Sequence, residues 1–194
     1  VVVVVAIIAF VGGLGAGNLL FAGKPTAPTP SNIFVVGTNI PFPPFEDYNA
    51  SSGAYFGFDI DMSAMIARAL QKNLSIVNFA DFSVLLATVG RGGVDMAASA
   101  ITSSGSAGAS RNQSMTFSIS YYAANQAALV KTGFWLHCTG GVCGANDLKN
   151  LTVGLQSGTT SEDWVNTNLK PLMSNAPSHI KTYTTVDTEV AALQ

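Results

Sequence analysis

The sequence predicts a mixed α/β protein folded as two lobes joined by a hinge. Three observations carry this expectation. Short apolar runs alternate with amphipathic helical segments through residues 32–101, the pattern of a sheet covered by helices. The alternation resumes after a Gly/Ser/Ala-rich stretch at 103–110 and continues to the last residue. Between the halves lies Phe-Ser-Ile-Ser-Tyr-Tyr at 117–122, and two lobes joined there explain the order of elements better than one sheet. The expected organisation is a signal or anchor helix at 1–23, a linker at 24–31, a first lobe at 32–121 and a second at 122–194.

Residues 1–23 (VVVVVAIIAFVGGLGAGNLLFAG) carry no charge. As a helix the apolar run would span about 32 Å at roughly 1.5 Å per residue, enough to cross a hydrocarbon core of about 30 Å. The run has no charged leading region and exceeds the roughly 7–15 residues of a cleaved signal core, so an uncleaved membrane anchor is favoured, with secretion the outcome of cleavage. No cysteine follows it directly, which argues against a lipoprotein box. Three prolines within 24–31 (KPTAPTPS) favour a semi-rigid spacer.

The next run, 32–38 (NIFVVGT), reads as a buried strand stopped by the rigid Pro41-Phe-Pro-Pro44. From Asp61 a helix is expected, with Met62, Met65, Ile66, Ala69 and Leu70 on one face and Asp59 or Asp61 as its cap. A strand follows at 74–79, then a helix at 82–89 ended by Gly90, Gly92 and Gly93, then a strand at 96–101. In the second half, strands are expected at 123–130, 152–155 and 179–183, a helix at 162–169, and the start of another at 188–193.

Composition narrows the function. Charged residues make up 10 % of the chain, against roughly 25 % in ordinary soluble domains, so Ser, Thr, Asn and Gly must build the surface. A net charge of −2 and the lack of any Lys/Arg cluster exclude nucleic-acid binding. Catalytic residues are not expected: the histidines are His137 and His179 alone, and no serine sits in a strand–elbow–helix setting. No phosphate loop or metal cluster appears, so neither a metal nor a cofactor is expected.

Cys138 and Cys143 enclose Thr-Gly-Gly-Val. In an exported protein a local disulfide is the leading reading, worth roughly 2 kcal/mol for so small a loop, and free thiols are the alternative. Zinc would need four ligands, and His137 alone lies close by. Glycan acceptor sequons stand at Asn49, Asn73, Asn112 and Asn150.

A binding site is easier to assemble than a catalytic one. In open α/β sheets ligands sit at the carboxyl ends of strands. The residues placed there are Asn39, Phe42, Phe58, Ala100, Thr102 and the stretch 156–160, a set suited to a small polar molecule with an apolar part. Arg111 is the only basic residue between Arg91 and Lys131, and its fork suits a carboxylate.

Five blocks, in order, resemble the polar-amino-acid family of periplasmic solute-binding proteins with the type II two-lobe fold. They are VGTNIPFPPFED (36–47), GFDIDMSAMIARAL (57–70), GGVDMAASAIT (92–102), RNQSMTFSISYY (111–122) and DLKNLTVGLQSGTTSEDW (147–164). The resemblance implies that Phe42 and Phe58 sandwich the ligand side chain. It implies that Thr102 and the backbone around Ser99 and Ala100 bond its α-ammonium and carboxylate, and that Arg111 pairs with the carboxylate. It implies that Thr159 and Thr160 close on the same group from the second lobe. The implied role is capture of an amino acid at the extracellular or periplasmic face and delivery to the permease and ATPase subunits of an ABC importer.

Three departures qualify the resemblance. The family keeps its arginine a few residues after the binding threonine, whereas SSGSAGAS separates Thr102 from Arg111 here and is expected to bulge outward. Asn39 stands where an aspartate is common in the family, and Gln156 where a lysine or other polar group is, which favours a neutral polar or small apolar amino acid. Family members also run on past the helix that holds Gln194, and this chain reads as a fragment of a longer protein. The rival readings are a sensory input domain on the same fold, and an enzyme such as a dehydratase or a peptidoglycan lyase. The enzyme would need acidic groups in a cleft that the sequence lines mainly with hydroxyls and amides.

Overall fold

β1 (Ile33–Thr38) is the central strand of a parallel sheet in the order β4-β1-β5, with β4 (Asn73–Asn78) on one side and β5 (Met96–Ala97) on the other. The computed structural model describes residues 32–138 and 141–194, so the anchor at 1–23 and the linker at 24–31 lie outside the described residues. A hairpin of β2 (Asp47–Asn49) and β3 (Ala54–Phe56) and then helix α1 (Phe58–Ala69) connect β1 to β4. Helix α2 (Phe82–Gly90) carries the chain from β4 back across to β5.

Both faces of this sheet are covered, and the period-2 alternation of β1 serves both. Phe34 and Val36 pack with Ala67 of α1 and with Met96. Val35 turns the other way, toward Leu85 and Val89 of α2. Asp81 caps α2, its carboxylate accepting from the Ser83 and Val84 amides.

Several local expectations are corrected. α1 begins at Phe58, with Gly57 at its N-cap and no side-chain cap. Asp59 is instead buried and accepts from the Ala100 amide at 2.9 Å, a tertiary bond that a helix surface could not supply. β5 ends at Ala97 rather than 101, because Ser99 and Ala100 turn out of the ladder to bond Asn39 and Asp59. The stretch 103–110 is largely helical, although most of it faces solvent. It forms helix α3 (Gly105–Arg111), with Ala107 and Gly108 buried. A Cβ at Gly108 would stand 2.2 Å from the Ser103 carbonyl carbon, so the helix packs this closely because the residue is glycine.

Residues 123–130 form no strand among the described residues. Apolar content alone does not make a strand, which needs a ladder partner. This segment is held by a side chain instead: Gln126 donates to Thr160 Oγ1 at 2.7 Å and accepts from Ser161 Oγ at 2.8 Å.

The second half holds α4 (Ala145–Leu148), β6 (Val153–Gln156), α5 (Thr160–Trp164), α6 (Ala176–His179), β7 (Ile180–Tyr183) and α7 (Val186–Leu193). β6 and β7 are parallel, with Leu155 opposite Thr182. The helix expected at 162–169 keeps α geometry only to Trp164, then widens through Val165–Leu169 and tightens at Lys170–Leu172. Asn168 donates its amide to the Trp164 carbonyl, the side-chain competition that disturbs a helix ladder. Leu155, Val165 and Leu169 form the core of this half. Cys138 and Cys143 are joined as a disulfide, their Cα atoms 4.5 Å apart. Among the described residues no helix is long and apolar enough to cross a membrane.

Candidate functional site

The carboxyl ends of β1, β5 and β6 face a cavity of about 350 Å³. That volume lies at the lower end of the roughly 300–1,000 Å³ usual for small-molecule sites. Of the binding residues expected from the sequence, Phe58 does not line it, nor do Ser157 and Gly158 of the stretch 156–160; the others do. Ser99 is among the lining residues, although its hydroxyl is turned to protein partners. A second cavity, about 890 Å³, lies beside α7 and is walled by apolar side chains such as Val130, Leu136 and Leu155 together with Gln126, Lys131, Lys181 and Glu189.

Asn39 and Gln156 meet across the cavity wall. Gln156 Nε2 donates to Asn39 Oδ1 at 2.7 Å and to the Thr184 carbonyl at 2.9 Å, while Asn39 Nδ2 donates to the Phe79 carbonyl. Their amide groups bond each other and the backbone and, being uncharged, place no net charge on the wall.

Arg111 reaches the cavity from the last turn of α3. Nη1 donates to the Thr102 carbonyl and Nη2 to the Gly158 carbonyl, both at 2.9 Å. Gly158 has φ near +76, and a Cβ there would stand 2.7 Å from Ser83 Oγ, so this approach calls for glycine. Burial lowers the Arg111 pKa and Asp163 opposes that shift; a guanidinium in this state remains cationic. Two bonds leave the rest of its N–H fork able to meet a carboxylate. Thr159 caps α5, its Oγ1 donating to the Gln156 carbonyl at 2.7 Å and accepting from the Glu162 amide, with Thr160 beside it on the cavity wall.

The aromatic walls differ from the expected pair. Phe42 lines the cavity, but Phe58 is 54 % exposed and packs on Tyr121 at 5.3 Å between ring centroids. Phe82, read from sequence as the first residue of a helix, supplies the other aromatic surface and lies 5.7 Å beneath the Arg111 guanidinium. Asp81 was the available signal, since an N-cap places the next side chain at the strand-end rim.

Two acids join the hydroxyls and amides that make up most of the polar lining. Glu46 and Glu189 both line the cavity. Burial holds the Glu46 carboxyl far above its ordinary range, at about 10, with Asp59 reinforcing the shift and Ser99 opposing it. Burial also raises Glu189, on α7. Among the described residues no group of acidic, histidine or cysteine side chains could hold a metal ion.

A family model for bacterial extracellular solute-binding proteins, family 3, matches residues 34–183. This chain belongs to that family. Several solved structures are similar to it over most of its length. An ancestral arginine-binding protein bound to glutamine is 28 % identical, with a TM-score of 0.68, and the match covers 84 % of this chain and 64 % of that one. The substrate-binding protein of an amino acid ABC transporter is 32 % identical, with a TM-score of 0.68 and coverage of 84 % and 65 %. An ancestral amino acid-binding protein, a precursor of cyclohexadienyl dehydratase, is 25 % identical, with a TM-score of 0.67 and coverage of 84 % and 66 %. The chain thus spans 64 % of the length of the first of these relatives. Its α/β fold is that of family 3.

Proposed function

We propose that this family 3 protein captures a free L-amino acid and delivers it to the permease and ATPase subunits of an ABC importer, without catalysis. The observation that carries the reading is Arg111, a half-buried guanidinium at the cavity with N–H groups left to grip an α-carboxylate. Thr102, Thr159 and Thr160 supply hydroxyls and backbone around it, and Phe42 and Phe82 supply apolar walls for the ligand side chain. Two relatives are an amino acid ABC transporter's binding protein and an arginine-binding protein holding glutamine, which supports the same class of ligand.

The ligand is a neutral polar or small apolar amino acid. Asn39 and Gln156 neutralise each other's polarity, and Glu46 keeps its proton at neutral pH, so neither wall presents a fixed charge to the side chain. Residues 1–23 attach the protein to the membrane on the extracellular or periplasmic face. The test is a melting-shift screen of the common L-amino acids, since a ligand specific to the native state must raise Tm. Shifts with glutamine and other neutral amino acids above those with arginine and lysine are expected. A shift confined to arginine and lysine would assign the side-chain end to Glu189. No shift with any amino acid at millimolar concentration would sink the reading.

A further inference from the structure

Beneath the cavity floor two carboxyl groups are buried together. Glu46 lies in the loop before β2 and Asp59 in the first turn of α1, and neither is exposed to solvent. Asp59 takes donors on both oxygens: the Ala100 amide on Oδ2 at 2.9 Å and the Tyr121 hydroxyl on Oδ1. Glu46 Oε1 accepts from Ser99 Oγ at 2.7 Å, while Oε2 is buried with no N–H or O–H donor among the described residues. Burial disfavours the ionised form of both carboxyls, and the charge of Asp59 raises Glu46 further, so a single proton between them is the arrangement this pocket favours. Two ionised carboxylates in so dry a place would repel, and one proton removes the repulsion while giving Oε2 its partner. It belongs to Glu46, because the donors on both Asp59 oxygens favour the ionised form of that residue.

The acids hold a turn that would not hold itself. Ala100 has φ near +46, a left-handed conformation unusual for a residue with a Cβ and kept only where surroundings impose it. Its amide is bound by Asp59, and the preceding Ser99 is fixed by Glu46 on one side and by the Asn39 amide, at 2.9 Å, on the other. Both residues of the turn line the cavity.

We propose that Glu46 and Asp59 share one proton and act together as a clamp that positions the Ser99–Ala100 turn for ligand binding, with Tyr121 tying the clamp to the crossover segment. The inference rests on the reading of the cavity as an amino-acid site. Glu46 and Asp59 are positioning residues, acting on the ligand through the turn.

A shared proton has a pH signature. Among the described residues, the titratable groups facing the pair are each other and Tyr121, whose phenol is pushed up by burial and by the acids and stays a donor; Arg111 of α3 and Glu189 of α7, itself raised by burial, line the same cavity. Glu46 keeps its proton in the folded state up to about pH 10 but loses it near its ordinary value of 4.5 when unfolded. Its contribution is therefore fully present below pH 4.5 and is lost progressively as pH rises toward 10.

The experiment is ligand-free melting of the intact protein between about pH 5 and about pH 9.5, for wild type, Glu46→Gln, Glu46→Ala and Asp59→Asn, with amide hydrogen exchange at Ala100. Glutamine in place of Glu46 mimics the protonated acid. It should flatten the fall of Tm with pH and keep exchange at Ala100 slow, whereas Glu46→Ala should speed that exchange at least about tenfold. Asp59→Asn should be more damaging than Glu46→Gln, failure to fold included, because its amide cannot accept from both Ala100 and Tyr121. Equal pH slopes in wild type and Glu46→Gln would overturn the shared proton, and unchanged Ala100 exchange in Glu46→Ala would overturn the clamp. Titration with L-glutamine separates this from the ligand reading: affinity lost in Glu46→Ala and regained in Glu46→Gln supports both. A wild type that binds no amino acid removes the ligand reading alone, and the exchange and pH data still decide the clamp.

Discussion

Gln156 donates its side-chain amide to Asn39 Oδ1 at 2.7 Å, in a buried position between the β4-β1-β5 sheet and the β6-β7 pair. The same nitrogen also reaches the Thr184 carbonyl, so one side chain serves both sheets. Replacing Gln156 by Leu keeps the volume and leaves Asn39 Oδ1 buried without that donor. The expected cost is about 1–3 kcal/mol, the range for a buried polar atom stripped of its partner. Urea unfolding of the two forms measures it, and an unchanged midpoint would mean that the pair carries no weight.

Arg111→Ala should weaken amino-acid binding by about 2–5 kcal/mol, or at least about 30-fold in Kd, because it removes one side of a buried arginine–carboxylate pair. Arg91→Ala is the control. Arg91 is an exposed residue at the end of α2, and its loss should leave affinity where it was. Calorimetric titration of both variants decides the point. Equal affinities for wild type and Arg111→Ala would assign carboxylate recognition elsewhere.

Phe42→Ala should reduce affinity more than Phe58→Ala does. Phe42 lines the cavity, whereas Phe58 spends half its surface on solvent and the rest on Tyr121. Fully burying a phenylalanine is worth about 1.5–3 kcal/mol, so a difference of about tenfold in Kd is expected. The reverse order would restore Phe58 to the binding wall.

Residues 1–23 should keep the protein on membranes through a high-salt wash, because a hydrophobic attachment is not screened by ions. Release of most of the protein into the wash would point to an electrostatic contact or to cleavage.

Periodic elements were legible in the sequence, and tertiary bonds were not. β1, β4 and α2 stand within a residue of their expected limits because their alternation and stop signals are local. α3 was hidden by its Gly/Ser/Ala composition, which reads as loop; Gly108 lets it pack closely on Ser103, and Ala107 is buried beside it in sequence. The β2–β3 hairpin had a signal, Tyr48 and Tyr55 flanking Ser-Ser-Gly, that three-residue strands make easy to miss. Glu46 looked like an ordinary charge after a proline-rich turn. Its burial depends on Ser99 and Asp59, residues 53 and 13 positions away, and no local pattern announces that. Nine of the proposed binding positions line one cavity because the strand-end rule depends on topology, which the alternation of elements does convey. Phe58 escaped that rule by lying one connection away, at the start of α1.

Gln126 grips Thr160 and Ser161 at the start of α5 through its side chain, while the amide of Gln156 and the guanidinium of Arg111 span from one half of the molecule to the other. These attachments divide the labour of any swinging motion. Rotation of the β6-β7 half away from the β4-β1-β5 half would rupture the Gln156–Asn39 and Arg111–Gly158 bonds. The crossover chain, fastened to α5 by Gln126, would travel with the moving half. Along this crossover the bend would then fall between Tyr122, packed edge-on against Phe45, and Gln126, pinned to α5: a stretch of three intervening residues, 123–125.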